Sequence, residues 1–162
     1  MKHGFRVAPV DGFAHDRHMN IPGLRSPHAK VQDLVYFGRM IDKIRLHEKG
    51  VLTPDFVENL GIGFDGRGVR FLKVNYADFV DRVKNGGSDE ELLQWCYTTG
   101  RQPTEEEIEV WNSFMSKSGW NDGVSARLKF RLEEAGQSHR GDILTMFDFI
   151  DLDEGRDPAG KE

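Results

Sequence analysis

Apolar positions along this chain recur mostly three and four residues apart, the period of amphipathic helices. Thr104-x-x-Glu107 forms a capping box after Pro103, and Ile108, Trp111, Phe114 and Met115 follow it at helical spacing. Ser88-x-x-Glu91 is a second box, opening a helix with Leu92, Leu93, Trp95 and Cys96 on its inner side. Asn75 caps YADFVDRVKNG, which closes on Gly86 and Gly87, and Asp142 is expected to cap ILTMFDFI. VSARLKFRLEEAG fits two periods. Leu128, Phe130 and Leu132 alternate as in a strand, whereas Val124, Leu128, Leu132 and Ala135 fit a helix, which the Glu-Glu-Ala-Gly ending favours.

Ser26–Pro27 reads as a helix start and predicts one long helix from about Pro27 to Glu48, stopped by Gly50. Thr53–Pro54 opens a short helical turn, FVENL. GIGFDG then matches G-x-G-x-x-G at Gly61, Gly63 and Gly66. A dinucleotide fingerprint requires a strand before the glycines, and a helical segment precedes them here, so the stretch reads as a loop with Asp65 capping the next helix. The expectation is an all-α, compact single domain of about five to seven helices. It would span residues 25–156, with an irregular N-terminal arm over 1–24 and an acidic tail over 157–162.

Composition narrows the function classes. Lys and Arg total 22 against 27 Asp and Glu, a net charge of −5, which disfavours nucleic acid and anionic membranes as partners. Arg127, Lys129 and Arg131 then read as a solvated helix face. No stretch approaches the roughly 20 apolar residues of a membrane span, and the N-terminus has no sustained apolar region. A cytoplasmic protein is expected, with a small molecule or another protein as partner. Cys96, the single cysteine, excludes an internal disulfide and a cysteine-cluster zinc site, and reads as a packed thiol. His15 and His18 in HDRH lack further metal ligands in sequence. DLDEG at 151–155 fails the calcium-loop pattern, because Gly155 and Arg156 stand where an oxygen ligand and a glycine are needed. No metal is expected, and no cofactor is specified.

The candidate chemistry lies in FGRMIDKIRL, residues 37–46. On the long helix, Asp42 and Arg45 border the apolar arc of Leu34, Phe37, Met40, Ile41 and Ile44. Lys43, Arg39 and Gln32 fall on an opposite, polar arc. Asp42 is placed to pair with Arg45 or Arg39 at a spacing of three, and Gly38 leaves room for a neighbouring backbone or a ligand. A structural ion network competes with a partly buried anion or polar-ligand pocket in which Arg39 and Arg45 donate.

RSP at 25–27, GRMIDKIR at 38–45, FD…RFL from Phe64 to Leu72, SDEELLQW at 88–95 and FDFIDLDEGR at 147–156 occur in an order that resembles the bacterial domain of unknown function 5069 family. The resemblance runs over about residues 21–156. It implies a predominantly helical fold and no established activity. Arg39, Asp42, Lys43 and Arg45 match the family's charged motif, and Asp65 with Phe71–Leu72 its next segment. TPDFVENLGIG departs from the shorter, Tyr-containing connection usual there. Three function classes follow: first a small-ligand or anion-binding regulatory domain using Arg39, Asp42, Lys43, Arg45 and Asp65. Second is a protein-interaction module, with the tail or the helix carrying Trp111 and Phe114 as its surface. An enzyme comes third, because no nucleophile–base pair, paired-carboxylate spacing or metal motif is visible in the sequence.

Overall fold

Lys30 pairs with Val35, and Val31 with Leu34, in a two-stranded antiparallel hairpin. In the computed structural model, which describes residues 20–156, this hairpin comprises β1 (Lys30–Val31) and β2 (Leu34–Val35). Among the described residues eight helices follow: α1 (Phe37–Glu48), α2 (Pro54–Val57), α3 (Phe64–Leu72), α4 (Tyr76–Lys84), α5 (Asp89–Thr99), α6 (Glu105–Lys117), α7 (Ser125–Glu134) and α8 (Met146–Asp153). The all-α expectation holds. His15, His18, most of the expected arm and the 157–162 tail lie outside the described residues.

The long first helix is a correction. Ser26 does not cap it: the Ser26 hydroxyl accepts from the His28 amide, a local turn, and donates to Asp151 at 2.8 Å. Gln32 adopts a left-handed φ of 50° at the hairpin tip. Asn112 of α6 then clamps the hairpin, accepting from the Val35 amide and donating to the Asp33 carbonyl. These tertiary bonds outweigh any local helical preference of the segment. α1 therefore starts only at Phe37, after Tyr36, which holds φ 71° without capping the helix through its side chain.

Local signals served better elsewhere. Asn75 accepts from the Ala77 and Asp78 amides, and both capping boxes form, at Ser88 with Glu91 and at Thr104 with Glu107. The 125–134 segment is helical. Two caps differ from expectation. Thr145, not Asp142, accepts from the first turn of α8, and Asp142 is taken up by Arg140. Gly63 sits at the N-cap of α3 without a side-chain bond, and Asp65 lies inside its first turn.

The main core joins Phe37, Met40, Ile41 and Ile44 of α1 to Leu72 of α3, Phe79 and Val83 of α4, Leu92, Leu93 and Cys96 of α5, and Trp111 and Met115 of α6. Each fully buried aliphatic or aromatic side chain of this kind contributes about 1.5–3 kcal/mol. A second cluster seals α7 against α8 through Leu128, Leu132, Ile143, Met146 and Phe149. A third, Leu24, Leu46 and Leu52, closes the far end of α1.

Cys96 is completely buried, and burial pushes its thiol up to about 12 despite the opposing influence of Arg82. Native protein at mildly alkaline pH is therefore expected to resist thiol reagents that label the denatured chain rapidly. Equal labelling rates in the two states would show that this end of the core opens.

Candidate functional site

α1 is enclosed on nearly every side: Arg39 and Lys43, expected on a polar arc, are interior, and only Gln32 of that arc is exposed, at the hairpin tip. Arg39, Asp42 and Lys43 are 3%, 7% and 5% exposed, while Arg45 is half-buried. Moving an unpaired charge into such surroundings costs several kcal/mol, so each must meet an opposite charge. The expected pairing of Asp42 with Arg45 does not occur. Asp42 accepts instead from Arg25: from its amide at 3.0 Å, from Nε at 2.8 Å and from Nη2 at 2.9 Å.

Arg25 lies across α1 where Gly38 leaves space. A Cβ on Gly38 would stand 2.7 Å from the Arg25 Cζ, and Arg25 Nη2 donates to the Gly38 carbonyl at 3.1 Å. Its remaining Nη1 donates to Asp89 at 2.6 Å, and Arg45 donates to the other Asp89 oxygen at 3.0 Å and to the Gly87 carbonyl at 3.1 Å. Burial works against the Asp89 carboxylate, yet the hydrogen bonds from both arginines outweigh it and hold its pKa below the usual carboxylate value. Asp89 is also the first residue of α5, so the same carboxylate complements that helix's N-terminus.

Arg39 makes a two-pronged ion pair with Glu154 from the end of α8, and also donates to the Arg25 carbonyl at 2.9 Å. Burial opposes the Arg39 charge, and Glu154 overcomes it, leaving the guanidinium more firmly protonated than usual. Arg156 shares Glu154, binds Asp151 at 2.8 Å and reaches the Leu24 carbonyl at 3.3 Å. Asp151 and Glu154, from the DLDEG stretch, are 1% and 2% exposed.

Lys43 completes the network with Asp65 at 2.5 Å and the Tyr36 hydroxyl at 3.2 Å; that hydroxyl donates to the same Asp65 oxygen at 2.9 Å. The second Asp65 oxygen accepts from the Gly61 amide. A side chain on Gly61, which holds φ 76°, would strike the Tyr76 ring at 2.6 Å, so the glycine lets this loop close over the pair. Burial lowers the Lys43 pKa more than Asp65 raises it, and burial, then Asp65, lift that of Tyr36 well above normal.

The five expected residues thus belong to one network, but each reaches its partner from a different element. Arg25, Asp89, Glu154 and Arg156 were not among the candidates. One legible signal was present: Phe147 and Asp151 on α8 and Glu154 just past its end are spaced i, i+4, i+7, which continues an apolar face with acids. Among the described residues, no three His, Cys, Asp or Glu side chains gather as a metal site, and no helix is long and apolar enough to cross a membrane.

A cleft of about 370 Å³ lies apart from this network, lined by Phe71, Glu106, Glu107, Val110, Trp111 and Phe114. Phe71 and Trp111 stack at 4.4 Å between centroids with 10° between planes. Arg101 stands 4.7 Å from the Phe71 ring centroid, donates to the Phe71 carbonyl and pairs with Glu107. Val110 and Phe114 are 62% and 50% exposed. A smaller hollow of about 200 Å³ on α7 surrounds Leu128 and Leu132 with Ser125, Lys129, Glu133 and Ser138.

Fold and network together define a small helical protein whose central charged helix is neutralised from both ends of the described chain. It belongs to the family Domain of unknown function (DUF5069), whose model matches residues 21–156, from just before Arg25 through Arg156. No curated protein matches the chain.

The network sets two measurable consequences. Glu154→Ala strands Arg39 in the interior and is expected to cost about 3–5 kcal/mol in denaturant unfolding. Lys84→Ala, which breaks the exposed Lys84–Glu48 pair, is expected to cost about 0–1 kcal/mol. Equal losses would mean that the Arg39 site is hydrated in solution.

The second consequence concerns acid. Because the folded-state pKa of Asp89 is depressed, its contribution is complete above the unfolded value, near about 3.9, and disappears as pH falls through the folded value. The stability gap between wild type and Asp89→Asn should be widest near neutrality and narrow below that range. A gap independent of pH would remove Asp89 from the acid response.

Proposed function

We propose that this protein is a protein-interaction module that engages its partner through the α6 cleft, and that the charged motif of α1 is architectural. The observation that carries the reading is the cleft's composition. Exposed Val110 and Phe114 flank the Phe71–Trp111 stack, so apolar area and an aromatic floor coincide in one concavity. Aromatic-rich, apolar concavities with charged rims suit anchoring side chains of a partner. The hollow on α7 is smaller and has a more polar rim.

An anion binding at Arg39 would have to replace a two-pronged internal carboxylate, and at Lys43 it would have to replace Asp65. The exchange at Lys43 deprives buried Asp65 of its cation, at a cost of about 3–5 kcal/mol, and the exchange at Arg39 leaves buried Glu154 to Arg156 alone. Arg39, Asp42, Lys43, Arg45 and Asp65 are accordingly assigned to holding the helices together with the Arg25 and Glu154 segments.

Selection of binders from a displayed random-peptide library tests the reading. Selected peptides should lose at least about tenfold in affinity for a Val110→Asp/Phe114→Asp double variant whose melting temperature is preserved. Peptides that bind both proteins equally, or that shift amide resonances only outside the cleft, would defeat it.

A further inference from the structure

We infer that the occupant of the α6 cleft is a second copy of this chain, docked with its own α6 antiparallel to the first, so that Glu106 of each copy meets Arg67 and Lys117 of the other. This rests on the cleft being a docking surface and adds the identity and direction of what docks. Glu106, Val110 and Phe114 follow at intervals of four on α6, and Lys117, seven residues past Val110, returns to the same face. Along the helix Glu106 therefore lies about 6 Å before Val110, and Phe114 about 6 Å after it. A two-fold axis beside Val110, at right angles to α6, maps this face onto itself. Val110 then meets Val110 across the axis, and Glu106 of one copy falls opposite Phe114 of the other.

The charges on this face are complementary under the same axis. Glu106 lines the cleft, is exposed and has no cationic partner among the described residues. At the Phe114 end, the half-buried Arg67 holds its guanidinium 5.2 Å from the ring centroid, with no carboxylate partner among the described residues. Lys117 is exposed and likewise lacks a carboxylate among them.

Charge also selects the direction. If the axis ran along α6, the two helices would be parallel and Glu106 would face Glu106, a like-charge contact that disfavours docking. The antiparallel arrangement sets an anion against cations twice in each dimer, and the helix macrodipoles oppose one another favourably. A contact of this isologous kind closes at two copies. Confined to one 13-residue helix and its flank on each copy, it is smaller than the roughly 1,200–2,000 Å² of a stable interface, so the dimer is weak and reversible.

Sedimentation equilibrium of the full chain from about 10 µM to about 1 mM should show the average mass rising from monomer toward dimer. Glu106→Arg and Arg67→Glu should each weaken association at least about tenfold, because each sets like charges opposite one another at both symmetric positions. An equimolar mixture of the two variants should associate to within about threefold of wild type, since opposite charges then face each other at both positions. Lys117→Glu takes the place of Arg67→Glu if the latter lowers the melting temperature, and the same rescue is expected. A monomer at every concentration, or a mixture no better than its components, would overturn the inference while leaving the cleft to a different protein. So would a dimer indifferent to Val110→Asp/Phe114→Asp. The docking reading itself falls only if peptides selected on the wild type also bind that double variant unchanged.

Discussion

A helix enclosed on nearly every side while carrying Arg39, Asp42 and Lys43 can exist only if opposite charges are delivered to it. Here they come from far away in the chain. Asp65 lies 22 residues beyond Lys43, and Glu154 lies 115 beyond Arg39. Arg25 arrives from before the hairpin. Arg25, Arg39, Lys43, Arg45 and Arg156 face Asp42, Asp65, Asp89, Asp151 and Glu154, so the interior charge closes without external ions. Buried ion pairs of this sort are often no more stabilising than apolar replacements, but breaking one is expensive. Their effect is to penalise every arrangement in which α8, α3 or the Arg25 segment docks elsewhere.

The same constraint accounts for the strained start of α1. A left-handed tyrosine at φ 71° is unfavourable by itself. The Tyr36 ring is held against Phe64 and Phe147, and its hydroxyl bridges Lys43 to Asp65. The sharp turn from β2 into α1 thus aims one aromatic side chain simultaneously at the core and at a buried ion pair. Straightening it would cost both.

Reading the chain alone recovered what local chemistry determines. Asn75, Ser88 and Thr104 cap helices because a cap bonds amides two or three residues away, a distance that pattern alone encodes. The hairpin escaped because Val31, Leu34 and Val35 stand at i, i+3 and i+4, a spacing that also fits a helix. The hairpin is held by partners far along the chain, Asn112 lying 77 residues from Val35 and Asp151 lying 125 from Ser26. Asp142 and Thr145 are both capping residues, and Arg140 removes the first from competition. The membership of the charged motif in one network was legible, whereas its pairing was not. A search for partners one helical turn away could not find Arg25, although Gly38 signalled a close neighbour.

Neutralising the interior from within also separates binding from stability. α6 contributes Trp111 and Met115 to the core on one side and fastens the hairpin through Asn112. The segment leading into it is tied to α3 by Arg101, whose amide and guanidinium bond the Leu72 and Phe71 carbonyls. The helix is thus held by contacts within the chain, and the Phe71–Trp111 stack beneath its open face is packed on the core. Exposed Val110 and Phe114 are left with no partner in that scheme beyond the Arg67 guanidinium over Phe114. On the docking reading proposed above, apolar side chains already held open by such packing would lose little conformational freedom when covered, so a short partner segment would bind without reorganising the fold.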